Sequence, residues 1–164
     1  MDKLEKRIIL VLSALVLALL AAVLVQSANR QVEVSDFEVP AFDANALSGK
    51  PEVAYPDMYG TLALNDEVTV SLYSAPIVTD SAAQVCFTVD VGTAAWVRLR
   101  LLDTEGNTLG ESGLLRPGEY VESVVLTAQP DRPEAIAKIL TYDPDTYYSL
   151  GTGTAQILLQ FADE

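Results

Sequence analysis

Two carboxylates and three tyrosines lie close together in the segment from Tyr142 to Gly153. Asp143 and Asp145 flank Pro144, and carboxylate oxygens at this spacing can ligate calcium or hold an acid beside a base. Aspartate next to proline is also ordinary turn chemistry, because the Asp side chain accepts hydrogen bonds from backbone N–H groups that follow it. Asp143 and Asp145 are therefore weak calcium candidates, and a loop with a proline-fixed corner is the favoured interpretation.

The tyrosines of the same segment are Tyr142, Tyr147 and Tyr148. Aromatic side chains are favoured at recognition surfaces, so these three are the candidate contacts for a protein or glycan partner. The alternative is that two of them pack beneath the loop. Because the segment is longer than a simple hairpin needs, we predict a long recognition loop at one end of a rigid domain.

Catalytic chemistry finds little support elsewhere in the chain. There is no histidine, which removes imidazole catalysis and the commonest zinc ligands. No Gly-x-Ser-x-Gly or Ser-x-x-Lys motif occurs. Asp103, Glu105 and Asn107 alternate as in a calcium loop, but the glycine and distal glutamate of an EF-hand are missing, so a turn is favoured. We assign no catalytic residue and no cofactor.

Net charge and cysteine content exclude two further features, a nucleic-acid partner and an intramolecular disulfide. From Asn29 onward, seven Lys or Arg residues face twenty-one Asp or Glu residues, and such a negative field repels nucleic acid. Cys86 is the only cysteine, so the protein has no intramolecular disulfide. The role of Cys86 and the oligomeric state are left open.

The run from Ile8 to Val25 is the longest apolar stretch, with Ser13 as its only polar residue. At about 1.5 Å per residue it reaches about 27 Å, close to the thickness of one bilayer core. Basic residues precede it, and by the positive-inside rule they place the N-terminus in the cytoplasm. We expect a single-pass signal anchor in the cell membrane, with the C-terminal domain outside; whether the anchor is cleaved is left open.

These patterns divide the chain into four parts. Residues 1–7 form the cytoplasmic N-terminus, 8–25 the anchor, 26–57 a tether and 58–164 a β domain. The tether is rich in proline and acidic residues but keeps several apolar side chains, so docking on the domain remains open.

After Tyr59 the apolar pattern has a period of two and short runs of β-branched residues are separated by turn signals, which predicts an antiparallel β-sandwich. About seven strands are expected, near Glu67–Tyr73, Gln84–Val91, Trp96–Asp103, Asn107–Glu111, Tyr120–Thr127, Ala135–Tyr142 and Thr154–Phe161.

Alternation along these strands predicts which side chains face the core. Cys86, Arg98 and Arg100 should point outward, and Leu158 breaks the alternation. The expected core residues are Val85, Phe87, Val89, Val91, Val97, Leu99, Leu101, Ile157, Leu159 and Phe161. A turn is predicted at Asp103–Asn107, and another at Leu115–Glu119 that should hold Gly118 at positive φ.

Two stretches carry a resemblance. Asp103-x-x-Gly106-x-x-Leu109-Gly110, with the Pro-Gly-Glu corner at Pro117–Glu119, resembles immunoglobulin-like sandwiches of bacterial surface proteins. Together with Leu140–Tyr148, it resembles small, uncharacterised, single-anchor envelope proteins of Gram-positive bacteria. The resemblance implies an immunoglobulin-like fold and an envelope location, and it brings no functional residues.

The sequence thus predicts a membrane-anchored, extracytoplasmic, immunoglobulin-like sandwich that binds a partner or has a structural role in a bacterial envelope. An accessory subunit of a larger membrane or surface-appendage complex is the first alternative. A calcium-dependent or hydrolytic enzyme is the second.

Overall fold

The computed structural model describes residues 39–79 and 81–162, and the predicted anchor Ile8–Val25 lies outside them. Within the described residues no helix has the length and apolar character needed to cross a membrane. One short 3-10 helix spans Pro56–Met58. The strands are β1 Leu47–Ser48, β2 Tyr59–Ala63, β3 Thr69–Tyr73, β4 Ile77–Val78, β5 Ala82–Val89, β6 Trp96–Leu102, β7 Thr108–Glu111, β8 Glu119–Val125, β9 Glu134–Tyr142, β10 Ser149–Leu158 and β11 Gln160–Phe161.

The strands form two sheets, as expected for a sandwich. The first sheet has the order β1-β8-β5-β3-β2, with β4 pairing with the other end of β5 and β11 pairing with β4. The second sheet has the order β10-β9-β6-β7. All of these pairings are antiparallel except the short parallel pair between β4 and β11.

The core lies between the two sheets and follows the predicted alternation. Phe87, Val85 and Val89 of β5 are fully buried, and so are Val97, Leu99 and Leu101 of β6. Burying one such side chain contributes about 1.5–3 kcal/mol, which explains why the period-two pattern specifies the register of each strand.

A bulge in β5 keeps the core continuous opposite β8, where the buried residues Val121 and Val124 are three positions apart rather than two. Gln84 pairs with Ser123 and Phe87 with Val121, so Val85 and Cys86 together oppose a single residue of β8. The extra residue leaves Cys86 at a φ of 42°, an uncommon value for a side chain other than glycine.

Two positions near strand ends differ from the expected core. Val91 is 79% exposed because β5 ends at Val89 and the chain turns before reaching it. Phe161 is also exposed, because the expected last strand is divided at Leu159 and its end joins the first sheet as β11. Leu158, the predicted exception, is exposed.

The described part of the expected tether, residues 39–57, packs on the sandwich. Asp43 N–H donates to the Leu114 carbonyl at 2.9 Å, and Gly113 N–H donates to Asp43 Oδ2 at 2.7 Å. Further along, β1 pairs with β8. The compact unit that contains the sandwich therefore begins at Val39.

Candidate functional site

The connection between β9 and β10 consists of residues 143–148, and Asp143 organises it. One oxygen, Asp143 Oδ1, accepts hydrogen bonds from the backbone N–H groups of Asp145 and Thr146 and from the Thr146 hydroxyl, at 2.7–3.0 Å. These bonds, those from Thr146 first, hold the pKa of the Asp143 carboxyl below its usual value. The loop is shorter than the predicted segment from Tyr142 to Gly153, because β10 already begins at Ser149.

Asp143 thus has the loop-shaping role that its sequence context allowed. No group of three or more potential metal-ligating side chains is found in residues 39–79 and 81–162. Asp103 is used in the same way at the β6–β7 turn, where it accepts from Asn107 and Glu105, and these bonds lower its pKa. Calcium binding at Asp143 and Asp145 stays a prediction.

The three candidate tyrosines have different surroundings. Tyr142 ends β9 and is buried. Tyr147 is half-buried with a φ of 61°, and its ring packs edge-on against Trp96 with ring centroids 4.8 Å apart. Tyr148 is 69% exposed. Only Tyr148 therefore presents most of its side chain to a partner.

The structure adds aromatic residues that the sequence interpretation did not include in the site. Phe42 packs edge-on against Trp96, also at 4.8 Å, and the Arg116 guanidinium lies 3.6 Å from the centre of the Phe42 ring. We call Phe42, Trp96 and Tyr147 the aromatic cluster. No local pattern in the sequence indicates this cluster, because Phe42 lies in the expected tether, far along the chain from the other two residues.

The aromatic cluster adjoins the outer face of the second sheet. Cross-strand partners on this face form four rows, in the order β6, β9, β10: Trp96, Tyr142 and Ser149; Arg98, Leu140 and Thr152; Arg100, Lys138 and Thr154; Leu102, Ile136 and Gln156. We call these residues the β6–β9–β10 face. Arg98 and Arg100 point outward, as predicted.

One carboxylate serves both arginines of this face. Glu111 of β7 forms an ion pair with Arg98 and another with Arg100, the latter at 2.8 Å. Arg98 Nε–H also donates to the Ser112 carbonyl. Within the described chain, no ion pair involves Lys138. The β6–β9–β10 face therefore keeps an excess of positive charge.

Cys86 lies on the outer side of the first sheet but is not open to solvent. It borders a cleft with Tyr73 and the backbone segment from Glu52 to Ala54. Burial raises the pKa of the Cys86 thiol above its usual value. A protonated, covered thiol is a poor nucleophile, so this cysteine is not a catalytic candidate.

Comparisons of the chain with protein-family models, with curated proteins and with solved structures found no match. What the protein binds must therefore be inferred from its own surfaces. Two adjoining surfaces stand out: the aromatic cluster with Tyr148 at one end of the second sheet, and the β6–β9–β10 face beside it.

Proposed function

We propose that this protein is a binding component of a bacterial cell envelope. In this proposal, Ile8–Val25 is a single-pass membrane anchor, the N-terminus is cytoplasmic and an immunoglobulin-like sandwich is displayed outside. The basic residues Lys3, Lys6 and Arg7 before the apolar run support this orientation.

Strand order supports the immunoglobulin-like assignment. In chain order, the longer strands after β2 are β3, β5, β6, β7, β8, β9 and β10. One sheet contains β8-β5-β3 and the other β10-β9-β6-β7. An immunoglobulin-like domain divides its strands in the same way, with E-B-A in one sheet and G-F-C-C′ in the other.

The observation that carries the binding proposal is the exposed Tyr148 beside the aromatic cluster. Two packed aromatic rings, Phe42 and Tyr147, hold Trp96 from different elements, and Asp143 fixes the backbone of the adjoining loop. A rigid loop that exposes an aromatic side chain loses little conformational entropy on binding.

Capture of envelope components by the full-length chain in a non-ionic detergent tests this proposal. Tyr148→Ala should reduce capture and leave the thermal midpoint nearly unchanged. Tyr55→Ala is the matched control, since Tyr55 is exposed on another part of the domain. Equal capture by wild type and Tyr148→Ala would exclude the β9–β10 loop, residues 143–148, from the binding site.

Orientation is tested separately. A reporter fused after Glu164 should be active outside the membrane, and the full-length mass should remain in the membrane fraction. A reporter active only in the cytoplasm would overturn the proposed topology. Loss of about 27 residues, with release of the protein, would contradict the anchor and leave export intact.

A further inference from the structure

The positive charges of the domain are unevenly distributed. Counted from Val39, the chain has six Lys or Arg residues against eighteen Asp or Glu residues. Three of the six, Arg98, Arg100 and Lys138, lie on the β6–β9–β10 face. Glu111 pairs with the two arginines, and Glu134 lies on the same side of β9 beyond Ile136. A strongly acidic domain thus has one face with a local excess of positive charge.

The placement of these cations is unfavourable for the free protein. Arg100 and Lys138 are direct cross-strand partners, and side chains in such pairs have Cβ atoms about 4.5–5.5 Å apart. Like charges at directly opposed positions destabilise a sheet. Glu111 offsets the charge of the arginines but forms no ion pair with Lys138. A bound anion would compensate the remaining charge.

Polar neighbours extend the cationic row across the sheet. Thr154 of β10 is the cross-strand partner of Lys138, and Thr152 and Gln156 lie in the rows on either side. Residues two positions apart on a strand are about 6.6–6.8 Å apart along it. The face therefore presents cations next to hydroxyl and amide groups at regular intervals, and the aromatic cluster lies at one end.

We propose that the β6–β9–β10 face binds an anionic glycan, with Arg100 and Lys138 as its principal contacts to acidic groups. This inference rests on the proposed envelope-binding function and specifies the chemical class of the partner. Arginine binds planar carboxylates through paired hydrogen bonds, and lysine supplies a mobile point charge. Thr152, Thr154 and Gln156 offer hydrogen bonds to sugar hydroxyl groups.

The composition of the face favours a glycan over an acidic protein. Interface cores between proteins are depleted in lysine and in acidic residues, although arginine is enriched there, and they contain aromatic or large apolar anchors. Here the cations are central, while the apolar residues on either side of Lys138 along β9, Leu140 and Ile136, are half-buried within the sheet surface. A flat, polar and cationic surface suits an extended, hydroxyl-rich polyanion.

Binding can be measured with the full-length chain in non-ionic detergent at low ionic strength. The probes are polygalacturonate, a neutral dextran of similar length, polyphosphate and poly-glutamate. We expect polygalacturonate to bind and dextran not to bind, with affinity falling as salt increases. No binding of polygalacturonate, or equal binding of poly-glutamate, would overturn the assignment to a glycan. Tighter binding of polyphosphate than of polygalacturonate would overturn the assignment of the acidic groups as carboxylates.

A charge-matched pair of variants separates the face from general electrostatics. Arg100→Gln with Lys138→Gln should weaken polygalacturonate binding on the order of tenfold or more. Lys50→Gln with Arg132→Gln removes the same charge from elsewhere and should change binding much less. Equal weakening by both pairs would show that net charge alone is responsible.

Glu111→Gln gives a test of opposite sign. It removes the carboxylate that occupies Arg98 and Arg100, so polygalacturonate binding should become tighter while the thermal midpoint falls or stays unchanged. Unchanged or weaker binding by a folded Glu111→Gln protein would contradict a site at these arginines.

The proposed function and this inference can fail independently. Suppose that the Arg100 and Lys138 double variant still captures envelope components and Tyr148→Ala does not. The β9–β10 loop then binds the partner, and the assignment of glycan binding to the β6–β9–β10 face is wrong. If polygalacturonate binds as expected but a reporter fused after Glu164 is active in the cytoplasm, glycan binding by the β6–β9–β10 face is retained and the envelope location is wrong.

Discussion

Phe87 is the largest fully buried side chain, and its position gives the clearest stability prediction. Phe87→Ala should lower the free energy of unfolding by about 3–5 kcal/mol, because it removes buried surface and leaves a cavity. Val91→Ala is the matched control: Val91 belongs to the same predicted strand pattern but is exposed, so its loss should cost less than about 0.5 kcal/mol. Urea denaturation compares the two, and similar costs would mean that the end of β5 is misplaced.

Gly118 has the positive φ that its Pro-Gly corner predicted, at 79°. Gly118→Val should destabilise the fold by about 1–2 kcal/mol, because a β-branched residue is strained in this region. Gly60 is an extended strand residue in β2, with open space where a Cβ would lie, so Gly60→Val should be neutral or slightly stabilising. Thermal midpoints of the two variants test the difference; a reversed order would contradict the backbone assignment.

Asp143 gives a pH-dependent prediction. Its pKa is lowered below the ordinary value of 3.8 by the hydrogen bonds from Thr146, so its stabilising effect is present above that value and lost as the pH falls through the lower folded value. Asp143→Ala should have a lower thermal midpoint than wild type at pH 7, and the gap should close below about pH 3.8. In Asp145→Ala, the control, the backbone N–H that bonds to Asp143 is retained. A gap that persists at low pH would rule out the charged carboxylate as its cause.

At the scale of elements, docking of residues 39–48 can be followed through one fluorophore. Trp96 is the only tryptophan, and Phe42 packs against it. Phe42→Ala should shift the Trp96 emission to longer wavelength by admitting water, and should lower stability by at least about 0.5–1.5 kcal/mol. Val39→Ala is the control, since Val39 is exposed. An unchanged emission maximum would show that the segment does not cover Trp96.

Most of the strands could be predicted because each has several alternating apolar residues. All seven predicted strand regions contain strands, and Val85, Phe87 and Val89 are buried as expected. The two-residue strands β1 and β4 are too short to show a period, and β2, with the sequence Tyr-Gly-Thr-Leu-Ala, places only Leu62 toward the core. Cys86 was placed on the correct side of β5, but alternation did not indicate that it would be buried there.

The candidate site was only partly predictable for a related reason. Asp143 could be recognised as a turn residue from its neighbours, since its hydrogen bonds are local. The aromatic cluster and the pairing of Arg100 with Lys138 require knowledge of which strands are adjacent. Alternation gives the face of each residue within a strand but not its partner across the sheet.

At the scale of the whole molecule, the C-terminal strand connects the two sheets. β10 belongs to the second sheet, whereas Gln160 and Ala162 N–H groups donate to Pro76 and Val78 carbonyls beside the first. Deleting residues 160–164 should cost about 2 kcal/mol through these two hydrogen bonds, with the fold retained. Calorimetry measures the loss, and deletion of residues 163–164 alone is the control. Complete unfolding would mean that β11 is essential to the sandwich.

The contact between residues 41–43 and 113–114 has a mechanical consequence. Leu114 N–H donates to the Ala41 carbonyl, Asp43 N–H to the Leu114 carbonyl and Gly113 N–H to the Asp43 carboxylate, all within 2.9 Å. A pulling force applied at Val39 meets these three bonds before it reaches the core strands. We therefore expect residues 39–43 to detach first and to lengthen the chain while the sandwich stays folded. The three hydrogen bonds would then dissipate part of the applied force before it acts on the core.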